Sequence, residues 1–339
     1  MTPKEALNAL LARNDLSREQ MLAVMTGIMT GETTPVQTAG IIVALRAKGE
    51  TVTELAAAAE VMRSLSAPVD SGGLAHVVDT CGTGGDGMHT FNISTTAAFV
   101  AAGAGAHVAK HGGRSVSSTT GSADVLEALG IPVTQATPES VARSLRECRL
   151  GFMFAPTHHT AMRHSATVRR ELGVRTLFNL LGPLTNPAGA PNQLLGVFSP
   201  HLTATLAGVL HRLGSRHALV VHGSDGLDEI TLSGPTHVAE LRDGAVREYL
   251  LDPADYGIRP APLNSILVKN AQESRELLEM VLDNRPGPAL EIVALNAGAA
   301  IYVAGLAPTL REGIAAARDV IASGRARERL DALVAWSRQ

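Results

Sequence analysis

Residues 79–99 read DTCGTGGDGMHTFNISTTAAF. Four glycines fall between Gly82 and Gly87. A β-branched run, AHVVDT (75–80), precedes them, and Ser and Thr lead into small apolar residues behind them. This order predicts a strand, a glycine turn and a helix. Glycines let backbone approach another group closely and bare its N–H groups, and the start of a helix adds partial positive charge. Together they predict a seat for an anion. Asn92, Ser94, Thr95 and Thr96 add amide and hydroxyl donors at the helix start.

Gly82-Thr83-Gly84-Gly85-Asp86-Gly87 literally fits G-x-G-x-x-G. A dinucleotide site would also need an acid about 20 residues on, to hold a ribose hydroxyl. The segment from Ala102 to His111 has no Asp or Glu and offers Lys110 and His111 instead. The P-loop pattern G-x-x-x-x-G-K-[ST] is absent as well. The anion reading survives; the nicotinamide and P-loop readings do not.

Downstream, AHVAKHG reads as a second strand and runs into KHGGRSVSSTTGSADVLEALG, which starts at Lys110. This loop carries two cations, two glycines and the hydroxyls of Ser115, Ser117, Ser118, Thr119 and Ser122, again ahead of a helix. One helix cap needs a single hydroxyl. Two strand–loop–helix units with donor-rich loops predict a ligand with two phosphate groups, because the strand ends of a parallel sheet converge on one side. GLDEIT (226–231) places Asp228 beside Glu229. Carboxylates close to phosphates repel them unless a cation lies between, and Mg²⁺ commonly takes one or two carboxylates plus phosphate oxygens and waters. VRRELGVRTLFNLLGPLTNP (168–187) adds Arg169, Arg170 and Arg175; on a helix the first two point in different directions, so one can face a cleft while the other is solvated. His158, His159 and His164 do not form H-E-x-x-H, and there is no G-x-S-x-G elbow, so zinc and serine-hydrolase chemistry find no support.

The chain of 339 residues has 45% apolar residues and a formal net charge of −3. That near balance argues against a dedicated nucleic-acid binder. Two cysteines, Cys81 and Cys148, make neither a disulfide scaffold nor a cysteine zinc site, and predict reduced thiols in a cytoplasmic protein. No signal-peptide core and no run of about 18 apolar residues is present, so no membrane association is expected. The first seventy residues read as helices. SREQ from Ser17, TPVQ from Thr34 and TVTE from Thr51 are capping boxes ahead of apolar runs. From residue 75, strands alternate with helices: TPESVARSLREC is a helix capped by Thr137, GFMFAP (151–156) a strand, and NQLLGVFS, HALVVHG and HVAELRDGAVREYLL further strands. The tail from about Glu273 reads as helical. The expectation is an α/β protein: a small all-α N-terminal domain (1–70), joined by helices from about 158–186, and a larger α/β domain (71–157 and 187–339) with a central, mostly parallel sheet.

In their order, DTCGTGGDGMHTFNIST, AKHGGRSVSSTTGSADVLEALG, FAPTHHTAMRHSATVRRELGVRTLFNLLGPLTNPA and GLDEI resemble the anthranilate phosphoribosyltransferase family of tryptophan biosynthesis, over almost the whole chain. The resemblance implies a homodimer joined through the helical domain. It implies transfer of the phosphoribosyl group of 5-phosphoribosyl 1-diphosphate (PRPP) to the amine of anthranilate, with Mg²⁺. It also implies that PRPP is held by Gly82, Gly85, Asp86, Thr90, Asn92, Ile93, Ser94, Thr95, Lys110, His111, Gly112, Gly113, Arg114, Ser115, Val116, Ser117, Ser118 and Ser122. Anthranilate would meet Gly82, His111, Gly113 and Arg169, and Mg²⁺ would meet Ser94, Asp228 and Glu229. No acid or base is assigned. One departure stands out: the family's Lys-His-Gly-Asn-Arg has Gly113 in place of its Asn, which touches anthranilate. The neighbouring rivals are a pyrimidine nucleoside phosphorylase-like enzyme, against which the Asp228–Glu229 pair argues, and a non-catalytic nucleic-acid-binding relative, against which the net charge argues.

Overall fold

The computed structural model describes residues 1–115 and 119–339. Val116, Ser117 and Ser118, named above as phosphate contacts, lie outside the described residues.

The chain begins with α1 (Pro3–Leu11), α2 (Arg18–Thr30), α3 (Pro35–Lys48) and α4 (Val52–Ser64). The cap residues read from the sequence start these helices: Ser17, Thr34 and Thr51 each close a reciprocal capping box. Each satisfies two of the N–H groups that a helix start leaves orphaned.

The α/β part follows as β1 (Val77–Gly82), α5 (Ile93–Ala104), β2 (His107–Gly112), α6 (Ser122–Ala128), α7 (Pro138–Cys148) and β3 (Leu150–Phe154). The third strand is shorter than GFMFAP predicts. Ala155 and Pro156 open a short helix, α8 (Ala155–His158), with the proline in its first turn, where a residue without an N–H fits better than in a strand ladder. Next come α9 (Arg163–Leu172), α10 (Phe178–Leu181), β4 (Asn192–Gly196), α11 (Leu202–Arg212), β5 (His217–Gly223), β6 (Thr236–Arg242) and β7 (Ala245–Leu251). The chain ends with α12 (Ala271–Leu282), α13 (Pro288–Val303), α14 (Leu310–Ala322) and α15 (Arg325–Trp336). No described helix is long and apolar enough to cross a membrane.

Among the described residues seven strands form one sheet in the order β3-β2-β1-β4-β5-β6-β7. The neighbours from β3 to β5 are parallel; β6 and β7 add an antiparallel edge. The chain winds outward from β1 through β2 to β3, then returns to the other side of β1 with β4. The β1/β4 boundary is therefore a topological switch point, where the loops after neighbouring strands part and leave a crevice at their carboxyl ends.

Both faces of the sheet are covered, as parallel sheets require. Along β5, Leu219 and Val221 enter the core shared with α5 and α13, while Ala218 and Val220 enter the core on the opposite face. That second core is continuous with the interior of α1–α4 through Leu55, Met62, Leu206 and Leu210. It also takes in Val168 of α9 and Phe178 and Leu181 of α10, and α9 packs on α2 and α3.

Candidate active site

β1 and β4 end side by side, with Gly82 paired to Gly196. Both glycines have the same cause. A Cβ on Gly82 would overlap the Asp228 carboxylate, and one on Gly196 would overlap the Asp228 backbone. The two bare strand ends thus form a slot that admits the 226–231 loop into the switch-point crevice. The turn that follows needs left-handed backbone at Gly84 (φ 63°), Gly85 (φ 80°) and Gly87 (φ 71°), where glycine carries no steric penalty.

Asp228 and Glu229 are held by the anion-binding elements themselves. The Gly84 N–H donates to Asp228 Oδ2 (2.8 Å), and the Ser94 N–H at the start of α5 donates to Glu229 Oε1 (3.0 Å). Asp86 approaches from the glycine loop and accepts from the Asp228 N–H at 3.4 Å. Burial, then the nearby negative charge of Asp86, raises the Asp228 carboxyl well above the usual range; burial, then Asp228, does the same to Glu229. Acidic groups crowded in this way ask for a cation. Among the described residues no group of three or more His, Cys, Asp or Glu is arranged to hold a metal. Two carboxylates and a hydroxyl beside an anion seat suit Mg²⁺, which completes its shell with substrate oxygens and water.

Lys110 lies beneath this site, with only 2% of its surface exposed. Its ammonium donates to the Thr80 carbonyl and to Ser94 Oγ (3.2 Å for the latter). Burial lowers its pKa, while Asp79 and then other neighbouring negative groups oppose the shift. In this structure Lys110 therefore props Ser94 from within the fold. Asp79 is fully buried too. It accepts from the His111 N–H (3.2 Å) and from Asn186 Nδ2 (2.8 Å). Asn186 also donates to the Ala109 carbonyl, so it ties the end of GPLTNP to the middle of β2.

His111 turns toward that same segment. Its Nδ1 lies 3.1 Å from the Gly182 carbonyl. A carbonyl only accepts, so the proton sits on Nδ1 and Nε2 carries a lone pair. Nε2 is buried without a partner among the described residues, as are Nε2 of His158 and His159. His111 and His159 meet edge to face with ring centroids 5.0 Å apart. Burial lowers His111 to about 3 and His159 to about 4, with the neighbouring imidazoles adding to both shifts. Both rings are neutral at physiological pH. Arg169 packs its guanidinium over Phe178, 5.2 Å from the ring centroid, on the helix that leads into Gly182. Arg170 is exposed.

Thr90 bridges to Leu267. The Asn92 side chain accepts from Ser274 Oγ (2.7 Å) and Thr120 Oγ1 (3.2 Å). Ile93 is buried, and Thr95 keeps a buried hydroxyl without a partner among the described residues. Gly112 packs against Ser122 and Phe152, and the Ser122 hydroxyl donates to the Gly113 carbonyl. Arg114 is paired with Asp124 and Glu127 at 2.8 Å each, and the Ser115 N–H donates to Asp124. Around Gly113 an added Cβ meets nothing within 4 Å.

Sequence reasoning assigned no role to Asp79, Asn186, His159 or Arg175. Arg175 donates to the Gly85 carbonyl and stacks on Phe198, 4.3 Å from the ring centroid, so it braces the glycine loop. His159 was visible only as one of three nearby histidines; Asp79 and Asn186 gave no local signal.

Known proteins reproduce this architecture. Residues 4–66 match the helical bundle domain of the glycosyl transferase family, and residues 74–327 match its a/b domain. Anthranilate phosphoribosyltransferases from Nitrosomonas europaea and Thiobacillus denitrificans are 58% and 60% identical over 339 residues, covering 100% of this chain and 99% and 98% of their own lengths. The chain belongs to the anthranilate phosphoribosyltransferase family. The crystal structure of the family member from Thermus thermophilus aligns with a TM-score of 0.93 at 46% identity, covering 98% of this chain and 99% of that one. The Saccharomyces cerevisiae member, solved in complex with PRPP and Mg, aligns with a TM-score of 0.90 at 26% identity, covering 99% and 98% of the two chains.

Proposed function

We infer that the chain is a Mg²⁺-dependent phosphoribosyltransferase that joins PRPP to the amine of anthranilate, releasing diphosphate, in tryptophan biosynthesis. One observation carries this reading. At the switch-point crevice the Asp228–Glu229 pair is hydrogen-bonded to the glycine loop and to the first turn of α5. An acidic pair seated on an anion site suits a phosphorylated substrate that arrives with its cation.

Displacement at the anomeric carbon passes through an oxocarbenium-like state, so catalysis lies in steadying the leaving group and orienting the amine. Asp228, Glu229 and Ser94 would hold Mg²⁺, which would supply positive charge for the diphosphate. The N–H groups of Gly85 to Gly87 and the donors of the 110–122 loop bind phosphate oxygens. Lys110 acts from below, keeping Ser94 in place and offsetting the acidic cluster. Arg169 pairs with the anthranilate carboxylate as a planar donor. Neutral His111, its tautomer set by Gly182, offers Nε2 to an amine N–H. An aromatic amine is already neutral at pH 7, so no base is needed to create the nucleophile.

Two further properties belong to the same reading. Leu11 (73% exposed) ends α1, and Val36 (83%) and Val43 (42%) stand two turns apart on α3. These exposed apolar side chains of the helical domain support a homodimer joined through it. Cys81 and Cys148 are buried free thiols, which suits the cytoplasm.

The test of the site is the double variant Asp228→Asn with Glu229→Gln. A sharp fall in kcat or in apparent Mg²⁺ affinity is expected. Near wild-type kinetics at limiting Mg²⁺ would rule out the metal role of the pair.

A further inference from the structure

α13 runs through the centre of the α/β domain, and nearly every residue on it is buried. Asn296 is the exception in chemistry: it is polar and has 0% of its surface exposed. Placing a carboxamide in such a core is unfavourable unless its hydrogen bonds are made. Two of the three are made to one residue outside the helix. Asn296 Oδ1 accepts from the Ile230 N–H (2.9 Å), and Nδ2 donates to the Ile230 carbonyl (2.9 Å) and to Ile292 of its own helix (2.9 Å). Ile230 directly follows Glu229, so both backbone polar groups next to the acidic pair are fixed by one side chain from the most buried helix.

The other flank of the loop has its own tie. Asp225 accepts from the Leu227 N–H (3.2 Å) and from the hydroxyls of Thr231 and Ser233. That tie lies within the loop and sets its shape. The Asn296 tie sets where the loop sits relative to α13, and thus relative to α5 and β1, which pack against that helix.

We propose that Asn296 is a positioning residue for metal binding: its two-way hydrogen bonding to Ile230 holds Asp228 and Glu229 in register with the Gly84 and Ser94 N–H groups. The inference rests on the reading of that pair as the Mg²⁺ ligands. Side chains that orient metal ligands commonly change metal affinity about 10–100-fold when altered.

The experiment is calorimetric titration of PRPP, without anthranilate, into wild-type protein and Asn296→Leu across a range of Mg²⁺ concentrations, alongside thermal melting. The substitution keeps the side chain's branching, with methyls in place of the amide oxygen and nitrogen, and removes all three hydrogen bonds. The Mg²⁺ needed for half-maximal PRPP binding should rise about 10-fold or more, with the anthranilate KM at saturating Mg²⁺ little changed. Asn296→Asp keeps the acceptor for the Ile230 N–H and should give a smaller rise in the same direction; it serves as the test if the leucine variant does not fold. A lowered Tm with unchanged Mg²⁺ dependence, in either folded variant, overturns the proposal. Absence of Mg²⁺-dependent PRPP binding in the wild type is a different result, and overturns the metal reading itself.

Discussion

Gly82 ends β1 and Gly113 directly follows β2, yet the structure gives them opposite tolerances. An added Cβ at Gly82 would overlap the Asp228 carboxylate, whereas one at Gly113 meets nothing within 4 Å. Gly82→Ala should therefore destabilise by about 1–3 kcal/mol, the usual range for overpacking. It should also raise the Mg²⁺ requirement, since Asp228 has to move. Melting and a Mg²⁺ titration check both effects. Gly113→Asn restores the family residue into open space. Its Tm should match the wild type, and the anthranilate KM should fall about 5-fold, the worth of one hydrogen bond of about 1 kcal/mol. An unchanged KM would mean that Gly113 is not a lost contact. The glycines were legible as places of close approach. Their causes differ, and for Gly82 the cause lies at Asp228, far along the chain, where no local pattern reaches.

Elements show the same division between local and distant causes. The helix starts at Ser17, Thr34, Thr51 and Thr137 could be read directly, because a cap and its partner lie three residues apart. β3 stops two residues before the expected end, because apolar content continues through Ala155 and Pro156 while the ladder does not. The sequence reads Ala155 and Pro156 as strand and the stretch from His158 as helical, and shows His158 and His159 only as neighbouring histidines. Folding buries His159 beside His111 and lowers the pKa of both. An unfolded histidine titrates near about 6.5. Below that pH the unfolded chain takes up protons that the folded rings refuse, so stability rises with pH in this window. The contribution is present above about pH 6.5 and is lost as pH falls toward the folded values. His159→Gln removes one such group. Its Tm should drop less between about pH 7 and about pH 5 than that of the wild type; an equal drop would show that His159 does not titrate on unfolding.

At the scale of the whole molecule, strand–loop–helix alternation was enough to predict a mostly parallel sheet. The strand order was not: only the structure places the switch point between β1 and β4 and so explains why the glycine loop and the Asp228–Glu229 pair meet. The same scale governs association. Val36 and Val43 lie on one exposed face of α3; if the proposed homodimer forms there, the wild type should run as a dimer in size-exclusion light scattering and Val36→Asp with Val43→Asp as a monomer. A dimeric variant would move the interface elsewhere, and a monomeric wild type would overturn the proposed dimer. The reaction proposed for the crevice is followed directly by anthranilate fluorescence. On adding PRPP the signal should decay only when Mg²⁺ is also present, and the decay should stop when Mg²⁺ is chelated. No decay with PRPP and Mg²⁺ together, in protein that still binds PRPP by calorimetry, would contradict anthranilate as the acceptor.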